Sequence, residues 1–226
     1  MAISAVLPAL GACDCKHCGK RIYIAEDAGA DWLADDIRKI NEDKTVNREA
    51  FRLIVLDRDA PLGEVIDEVS KMDPKGSVAT CSDIDGTLVD HGELEDHKMA
   101  IWPINPHIVS DMDRLSQLSE VFIVTARPEV WPGVSSLKNH TFEQLTALKF
   151  PVLLDRIYMG RGFAQPGLIN PASKVDAIID VLEKNLKVRN VVFMEDRPDE
   201  LEHAVSALGK WLKDGRIDKG LFVLRR

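Results

Sequence analysis

The stretch that decides the fold of this chain is VATCSDIDGTL, residues 78–88. It begins as an apolar run that ends in an acidic residue, with no alternation of polar and apolar positions. Such a run is typical of a strand that is buried on both faces, and such strands occur in parallel sheets covered by helices. The two aspartates and the glycine that follow lie where the strand ends. We therefore expect a parallel sheet in which this strand ends in polar residues that can belong to a functional site.

Outward from this stretch, short apolar strands alternate with amphipathic helices. Helix starts are indicated by Asn-Pro pairs at 105–106 and 170–171, by a capping box from Thr141 to Gln144, and by Pro198. This alternation predicts an α/β fold with a doubly wound parallel sheet. The predicted strands after the first are 121–124, 152–159, 191–194 and 221–224.

A polar, turn-forming stretch at 73–77 divides the chain into two parts. The part after it, residues 77–226, is predicted to form the main domain. The part before it, residues 1–76, is predicted to be a segment with a cysteine-rich start that can form a small α/β module. Its predicted elements are strands at 21–25 and 51–56 and helices at 31–40 and 62–72.

Composition places this chain among globular proteins with a substantial core. It has 226 residues, 45% hydrophobic and 29% charged, with a formal net charge of −8. An acidic balance argues against a general nucleic-acid coat or a membrane-surface protein, because both need cations to neutralise phosphates. The sequence contains no apolar run of the about 20 residues that cross a bilayer, and no basic leader. We expect a cytoplasmic protein with no membrane partner, and the sequence leaves its oligomeric state open.

Cysteines cluster near the N-terminus, where Cys13, Cys15 and Cys18 surround His17. This spacing resembles half of a zinc site, but a structural site needs four ligands and no second pair follows. Two interpretations stay open: a zinc site at these cysteines, or a tail with free thiols, which we favour.

The strand ends carry the residues that phosphoryl transfer requires. Asp83 is placed to attack phosphorus, and Asp85 to protonate the leaving oxygen and then deprotonate water. Thr125 and Lys174 are placed to stabilise the growing negative charge on the phosphoryl group. Because two carboxylates repel a phosphate, we expect Mg²⁺, bound by Asp83, Asp196 and the backbone carbonyl of Asp85.

These residues resemble, in order, the four motifs of the haloacid-dehalogenase-like superfamily. The first motif is DIDGTL at 83–88, the second VFIVT at 121–125, the third Lys174 and the fourth Glu195-Asp196. The resemblance implies a phosphatase with Asp83 as nucleophile, Asp85 as acid and base, and Thr125 and Lys174 as phosphate ligands. It also implies that Asp196 binds Mg²⁺, and that Glu195 and Asp199 contact the ligands of the ion or reach the ion through water.

Within that superfamily, the segment also resembles the 3′-phosphatase domain of polynucleotide kinase-phosphatases. This second resemblance depends on three features: Asn105-Pro106, the stretch TARPE at 125–129, and Glu195-Asp196-Arg197. The gaps 88–106 and 126–173 leave little room for a cap domain, so we expect an open, nearly capless site. Arg127 is a further candidate phosphate ligand on this side.

The sequence leaves three functions open. The favoured one is a phosphatase for a large phosphorylated substrate, with a nucleic-acid 3′-phosphate end as the leading choice. The second is a phosphatase for small metabolites, such as a nucleotidase. The third is a binding module that uses the same scaffold without catalysis.

Overall fold

The structure is a computed structural model that describes residues 13–14, 21–22, 31–43, 49–72, 77–93, 99–130, 136–163 and 172–226. The predicted cysteine site at Cys13, Cys15 and Cys18 lies outside this description, apart from the backbone of residue 13. Strands and helices alternate along most of the chain. In chain order the elements are β1 (Cys13–Asp14), β2 (Arg21–Ile22), α1 (Asp31–Asn41), β3 (Phe51–Leu56), α2 (Gly63–Ser70), β4 (Val78–Ser82), β5 (Val89–Glu93), β6 (Met99–Pro103), α3 (Ile108–Leu118), β7 (Glu120–Val130), α4 (Leu137–Ala147), a 3-10 helix (Leu154–Arg156), β8 (Ile157–Phe163), α5 (Ala172–Lys184), β9 (Asn190–Glu195), α6 (Pro198–Lys213) and β10 (Lys219–Arg225).

Six strands form one parallel sheet in the order β3-β10-β9-β4-β7-β8. From β4 the chain first moves outward through β7 to β8, and then returns to the other side of β4 with β9 and β10. This confirms the predicted doubly wound α/β fold. The reversal of direction beside β4 leaves a crevice at the carboxyl ends of β4 and its neighbours, which is where such sheets bind ligands.

Two hydrophobic cores cover the two faces of the sheet. One contains side chains of α1, α5 and α6, and the other contains side chains of α2, α3 and α4. Successive residues of each central strand alternate between them: Phe193 packs into the first core, and Val192 and Met194 pack into the second. Because both faces are buried, the strands read as continuous apolar runs.

The segment before residue 77 contributes to the main sheet. Strand β3 pairs in parallel with β10 from Phe51 opposite Gly220 to Leu56 opposite Arg225. Helix α1 packs in the first core and α2 in the second. Within the segment predicted at 1–76, the described residues 49–72 therefore share the sheet and the cores of residues 77–226. The sequence contains no local signal for this pairing, because its partner strand lies at the other end of the chain.

Several predicted element boundaries need correction, among them the strand predicted at 121–124, which is β7 and extends from Glu120 to Val130. Helix α3 begins at Ile108, although Asn105 still caps it, since its Oδ1 accepts hydrogen bonds from the N–H groups of His107 and Ile108 at 2.9 Å. Helix α4 begins before Thr141, because Ser136 accepts the capping bond from the N–H of Asn139 at 3.2 Å. The strand predicted at 152–159 is β8, which follows a 3-10 turn.

Between β4 and α3 the described residues form only the antiparallel hairpin of β5 and β6. The described residues between β7 and α5 form α4, the 3-10 turn and β8, which belong to the layers of the sheet itself. The described part of the chain thus has no helical cap over the crevice. It also has no helix with the length and apolarity of a membrane span.

Candidate active site

A tight loop after β4 places Asp83 and Asp85 at the crevice. The N–H of Asp83 donates to the carbonyl oxygen of Met194 on β9, 3.0 Å away. The N–H groups of Leu88 and Val89 both donate to the carbonyl oxygen of Ile84, at 2.8 and 3.0 Å. These bonds fold the chain back into β5 directly after the acidic residues. The loop is therefore held by backbone bonds, which leaves the aspartate side chains for the site.

Three carboxylates meet where β4 and β9 end. Asp83, Glu195 and Asp196 each offer an oxygen within 4.8 Å of the others. Asp83 and Glu195 are buried, and Asp196 is partly buried. Of the predicted site residues, the structure thus brings these three acids together, with Glu195 inside the cluster.

Lys174, in the first turn of α5, lies against this acidic cluster. Its Nζ is 3.1 Å from Asp83 Oδ1 and 2.7 Å from Glu195 Oε2, and the residue is only 3% exposed. Burial opposes its charge, but the neighbouring carboxylates of Glu195 and Asp83 outweigh that effect and raise its pKa. Lys174 is therefore held as a cation. Lys174, the predicted phosphate ligand, thus contacts Asp83, the predicted nucleophile, directly.

Burial makes the ionised form of these acids unfavourable. It raises the pKa of Asp83 to about 7, with repulsion from Glu195 adding to the shift and Lys174 opposing it. Burial also raises the pKa of Glu195 and of Asp196. One ammonium group does not balance three carboxylates, so the cluster favours proton uptake or a further cation.

The donor set suits a hard divalent cation. All three acids provide carboxylate oxygens, the ligand type that Mg²⁺ prefers. Both oxygens of Glu195 are already engaged, since Oε2 accepts from Lys174 and Oε1 accepts from the N–H groups of Asp196 and Arg197. Asp83 and Asp196 are consequently the better placed pair to hold the ion, with Glu195 orienting Lys174 and the loop after β9.

Asp85 is held by a different partner. Arg127 grips its carboxylate through two bonds, Nε to Oδ2 at 2.8 Å and Nη2 to Oδ1 at 2.6 Å. Gln144 on α4 supports the guanidinium, accepting from Nη1 at 3.0 Å. Arg127 was predicted to bind phosphate, whereas here its nearest anion is the predicted acid and base. Its bidentate grip orients the Asp85 side chain.

Thr125 and Asp199 have local partners in the described residues. The buried Thr125 hydroxyl accepts a hydrogen bond from the N–H of Arg127 at 3.2 Å, within the part of β7 where the register to β8 shifts. Asp199 forms a bidentate pair with Arg197, at 3.2 and 2.7 Å. Their proposed roles toward phosphate and metal stay predictions.

Sequence reasoning missed several polar residues around this edge of the sheet. Glu200 and His203 on α6 are fully buried, and both Glu200 oxygens have no hydrogen-bond partner among the described residues. Arg225 is 2% exposed and lies at the carboxyl end of β10. The rule that drew attention to Asp83, a polar residue directly at a strand end, also applies to Arg225.

Gly86 allows the closest approach in the site. Its φ is +80°, and a Cβ built there would collide with the carboxylate of Asp196. We expect Gly86→Ala to displace Asp196 and to abolish any stabilisation by Mg²⁺, in addition to the backbone strain of about 1–2 kcal/mol. Thermal unfolding with and without Mg²⁺ measures both effects.

Gly215→Ala is the matched control, because Gly215 also has a positive φ, +65°, but nothing lies within 4 Å of the added Cβ. It should show the strain alone and keep the Mg²⁺ response. Equal Mg²⁺ responses in the two variants would contradict the placement of Asp196 at the metal.

No family model, curated protein or solved structure gives a significant match to this chain.

Proposed function

We propose that this protein is a Mg²⁺-dependent phosphomonoester hydrolase that works through a phosphorylated Asp83. The observation that carries the proposal is the cluster of Asp83, Glu195 and Asp196 around Lys174, at the carboxyl end of the sheet. The resemblance of its motifs to the haloacid-dehalogenase-like superfamily agrees with the same assignment.

Asp83 is the nucleophile in this proposal. One of its carboxylate oxygens attacks phosphorus, a bond to phosphorus forms, and the bond between phosphorus and the leaving oxygen breaks. Lys174 stabilises negative charge on the transferred group, because it is a buried cation 3.1 Å from Asp83 Oδ1. When bound, Mg²⁺ supplies neutralisation of charge between the carboxylates and the phosphoryl oxygens.

Asp85 moves the proton. In the first step its carboxylic acid protonates the leaving oxygen, so that the product leaves as an alcohol. In the second step Asp85 takes a proton from water, which attacks phosphorus while the bond to Asp83 breaks and inorganic phosphate forms. Arg127 must loosen its bidentate grip for Asp85 to be protonated. We infer that Arg127 positions Asp85 between turnovers and shifts toward the phosphate when substrate binds.

A leaving-group series tests the role of Asp85. Asp85→Asn should lose about 10²–10⁴-fold in kcat/KM on an alkyl phosphate such as glycerol phosphate, because its alkoxide needs protonation. The loss of kcat/KM should be much smaller on p-nitrophenyl phosphate, whose leaving group is stable as an anion, because kcat/KM reports only the steps that lead to the acyl phosphate. Phosphate release with Mg²⁺ and with EDTA measures both rates.

Arg127→Gln is the matched control for this series. It breaks the same ion pair but keeps the carboxylate that carries the proton, so its loss of kcat/KM on the alkyl phosphate should be well below that of Asp85→Asn. Equal losses of kcat/KM on the two substrates in Asp85→Asn would mean that Asp85 does not protonate the leaving oxygen. If the wild type releases phosphate from neither substrate, the non-catalytic binding module is the correct alternative.

A further inference from the structure

A cleft of about 370 Å³ opens directly beside the candidate active site. Asp85, Gly86 and Asp196 of the candidate active site line it. It is also lined by Arg58 in the loop after β3, Asp90 on β5 and Arg225 at the end of β10. The volume falls in the range of small-molecule sites, about 300–1,000 Å³. One ligand can therefore occupy the active site and this cleft together.

Arg225 is a buried cation with hydrogen-bonding capacity to spare. Its Nη1 donates to the backbone oxygens of Arg58 and Ala60, at 2.6 and 3.1 Å, and this holds the loop after β3. Its Nη2 is buried and has no hydrogen-bond partner within the described part of the chain. A buried donor without a partner is unfavourable. Because Nη2 itself is closed to solvent, Arg225 acts on an anion in the cleft mainly through its positive charge.

Arg58 adds a second guanidinium to the lining of the cleft. Its side chain is half exposed, and its Nη2 lies 2.8 Å from Asp90 Oδ1. A half-exposed ion pair of this kind contributes little to stability, so an incoming anion can compete for Arg58. Asp90 is then the residue that keeps Arg58 in place, and also the residue that repels the anion.

We propose that this cleft binds a second anionic group of the substrate, so that the preferred substrates are phosphomonoesters that also carry a further phosphate or phosphodiester. This proposal rests on the hydrolase function proposed above. The acidic cluster binds the phosphate that is hydrolysed. Arg58 and Arg225 bind the second anionic group, which stays on the product. The second group can belong to a nucleic-acid end or to a small bisphosphate, because the chemistry at the guanidinium groups is the same.

Three substrates test the proposal: thymidine 3′-monophosphate, thymidine 3′,5′-bisphosphate, and a 3′-phosphorylated thymidine dinucleotide. In the wild type, we expect kcat/KM to be about 10-fold or more higher for the substrates with a second anionic group, as one charge-assisted hydrogen bond can provide. The bisphosphate and the dinucleotide distinguish the two sources: a preference for the dinucleotide indicates a nucleic-acid end. A preference for the bisphosphate indicates a small metabolite.

Variants of the cleft make the test specific. Arg58→Gln should remove most of the preference and leave hydrolysis of p-nitrophenyl phosphate unchanged. Asp90→Asn should increase the preference several-fold, because it keeps the hydrogen-bond acceptor but removes the repelling charge. Arg52→Gln is the matched control, since Arg52 is equally exposed and also paired with acids, but lies at the start of β3, far along the strand from the cleft. It should behave like the wild type.

Equal kcat/KM values for the mono- and bisphosphate in the wild type, or an unchanged preference in Arg58→Gln, would overturn the inference. The proposed function fails separately, if p-nitrophenyl phosphate is not hydrolysed with Mg²⁺. In that case calorimetry with thymidine 3′,5′-bisphosphate still tests whether the cleft binds an anionic group. Weaker binding to Arg58→Gln than to Arg52→Gln supports it, and equal binding to both variants rejects it.

Discussion

Asp83→Asn should abolish phosphate release, with kcat on p-nitrophenyl phosphate reduced by about 10⁴-fold or more, as expected for loss of a nucleophile. The amide has nearly the same shape as the carboxylate but cannot form the acyl phosphate. The variant should remain folded, because the substitution removes one of three mutually repelling buried carboxylates. Steady-state kinetics and urea unfolding of the same preparation measure the two effects.

The intermediate provides a second readout for the same variant. Wild-type protein quenched with acid during turnover should carry covalently bound phosphate, and Asp83→Asn should carry none. Asp113→Asn is the control, because Asp113 is an exposed carboxylate on α3 whose contact is with Gln117 on the same helix. Equal slow rates for wild type and Asp83→Asn would mean that the protein is not an aspartyl phosphotransferase.

Lys174→Met should cause the largest loss of stability among the substitutions considered. It leaves Asp83 and Glu195 buried without their cation, and breaking a buried ion pair costs about 3–5 kcal/mol. The loss should be larger at about pH 8 than at about pH 5.5. Mg²⁺ should restore part of it at the higher pH, because the ion neutralises the same carboxylates.

The sign of this pH dependence follows from the pKa shifts. The folded-state pKa of Asp83 is raised to about 7 from its usual value of 3.8, so the wild type loses stability as pH rises between these values. Without Lys174 the folded pKa values of Asp83 and Glu195 rise further. At the lower pH both acids are protonated in either protein and the difference is small. At about pH 8 only the variant must still bind protons on Asp83 and Glu195 when it folds, and this lowers its stability.

Lys184→Met is the control for this substitution. Lys184 lies on the same helix, and its pairing with Asp180 is mostly exposed, with a side-chain exposure of 63%. The change should have a much smaller effect at either pH, because water screens exposed pairs. A similar and pH-independent loss in both variants would contradict the buried ion cluster.

The sequence predicted the type of fold and the principal acids because both depend on local patterns. The unbroken apolar runs indicate strands buried on both faces, and the order of elements then gives a parallel sheet. Asp83 and Asp196 directly follow such strands, and the carboxyl ends of neighbouring parallel strands meet at one edge. Their proximity in the structure, within 4.8 Å, also requires that β4 and β9 be neighbours in the sheet, which the structure shows.

The sequence could not predict which side chains would bind each other across that edge. Arg127 was predicted to bind phosphate, yet it holds Asp85, 42 residues earlier in the chain. Gln144, assigned only to a helix cap, supports that arginine. Such partners depend on side-chain positions a few ångströms apart, and no periodicity encodes them.

What the sequence alone determined is the α/β class and a set of acids and one lysine at strand and helix ends. What only the tertiary structure decided is the place of β3 beside β10, and with it the cleft of Arg58 and Arg225 next to the acids. The backbone oxygen of Arg58 is bound by a side chain 167 residues away. Pairing at that separation is set by the packing of the whole sheet. Local propensity can favour a strand at β3, but it does not select β10 as the neighbour of that strand.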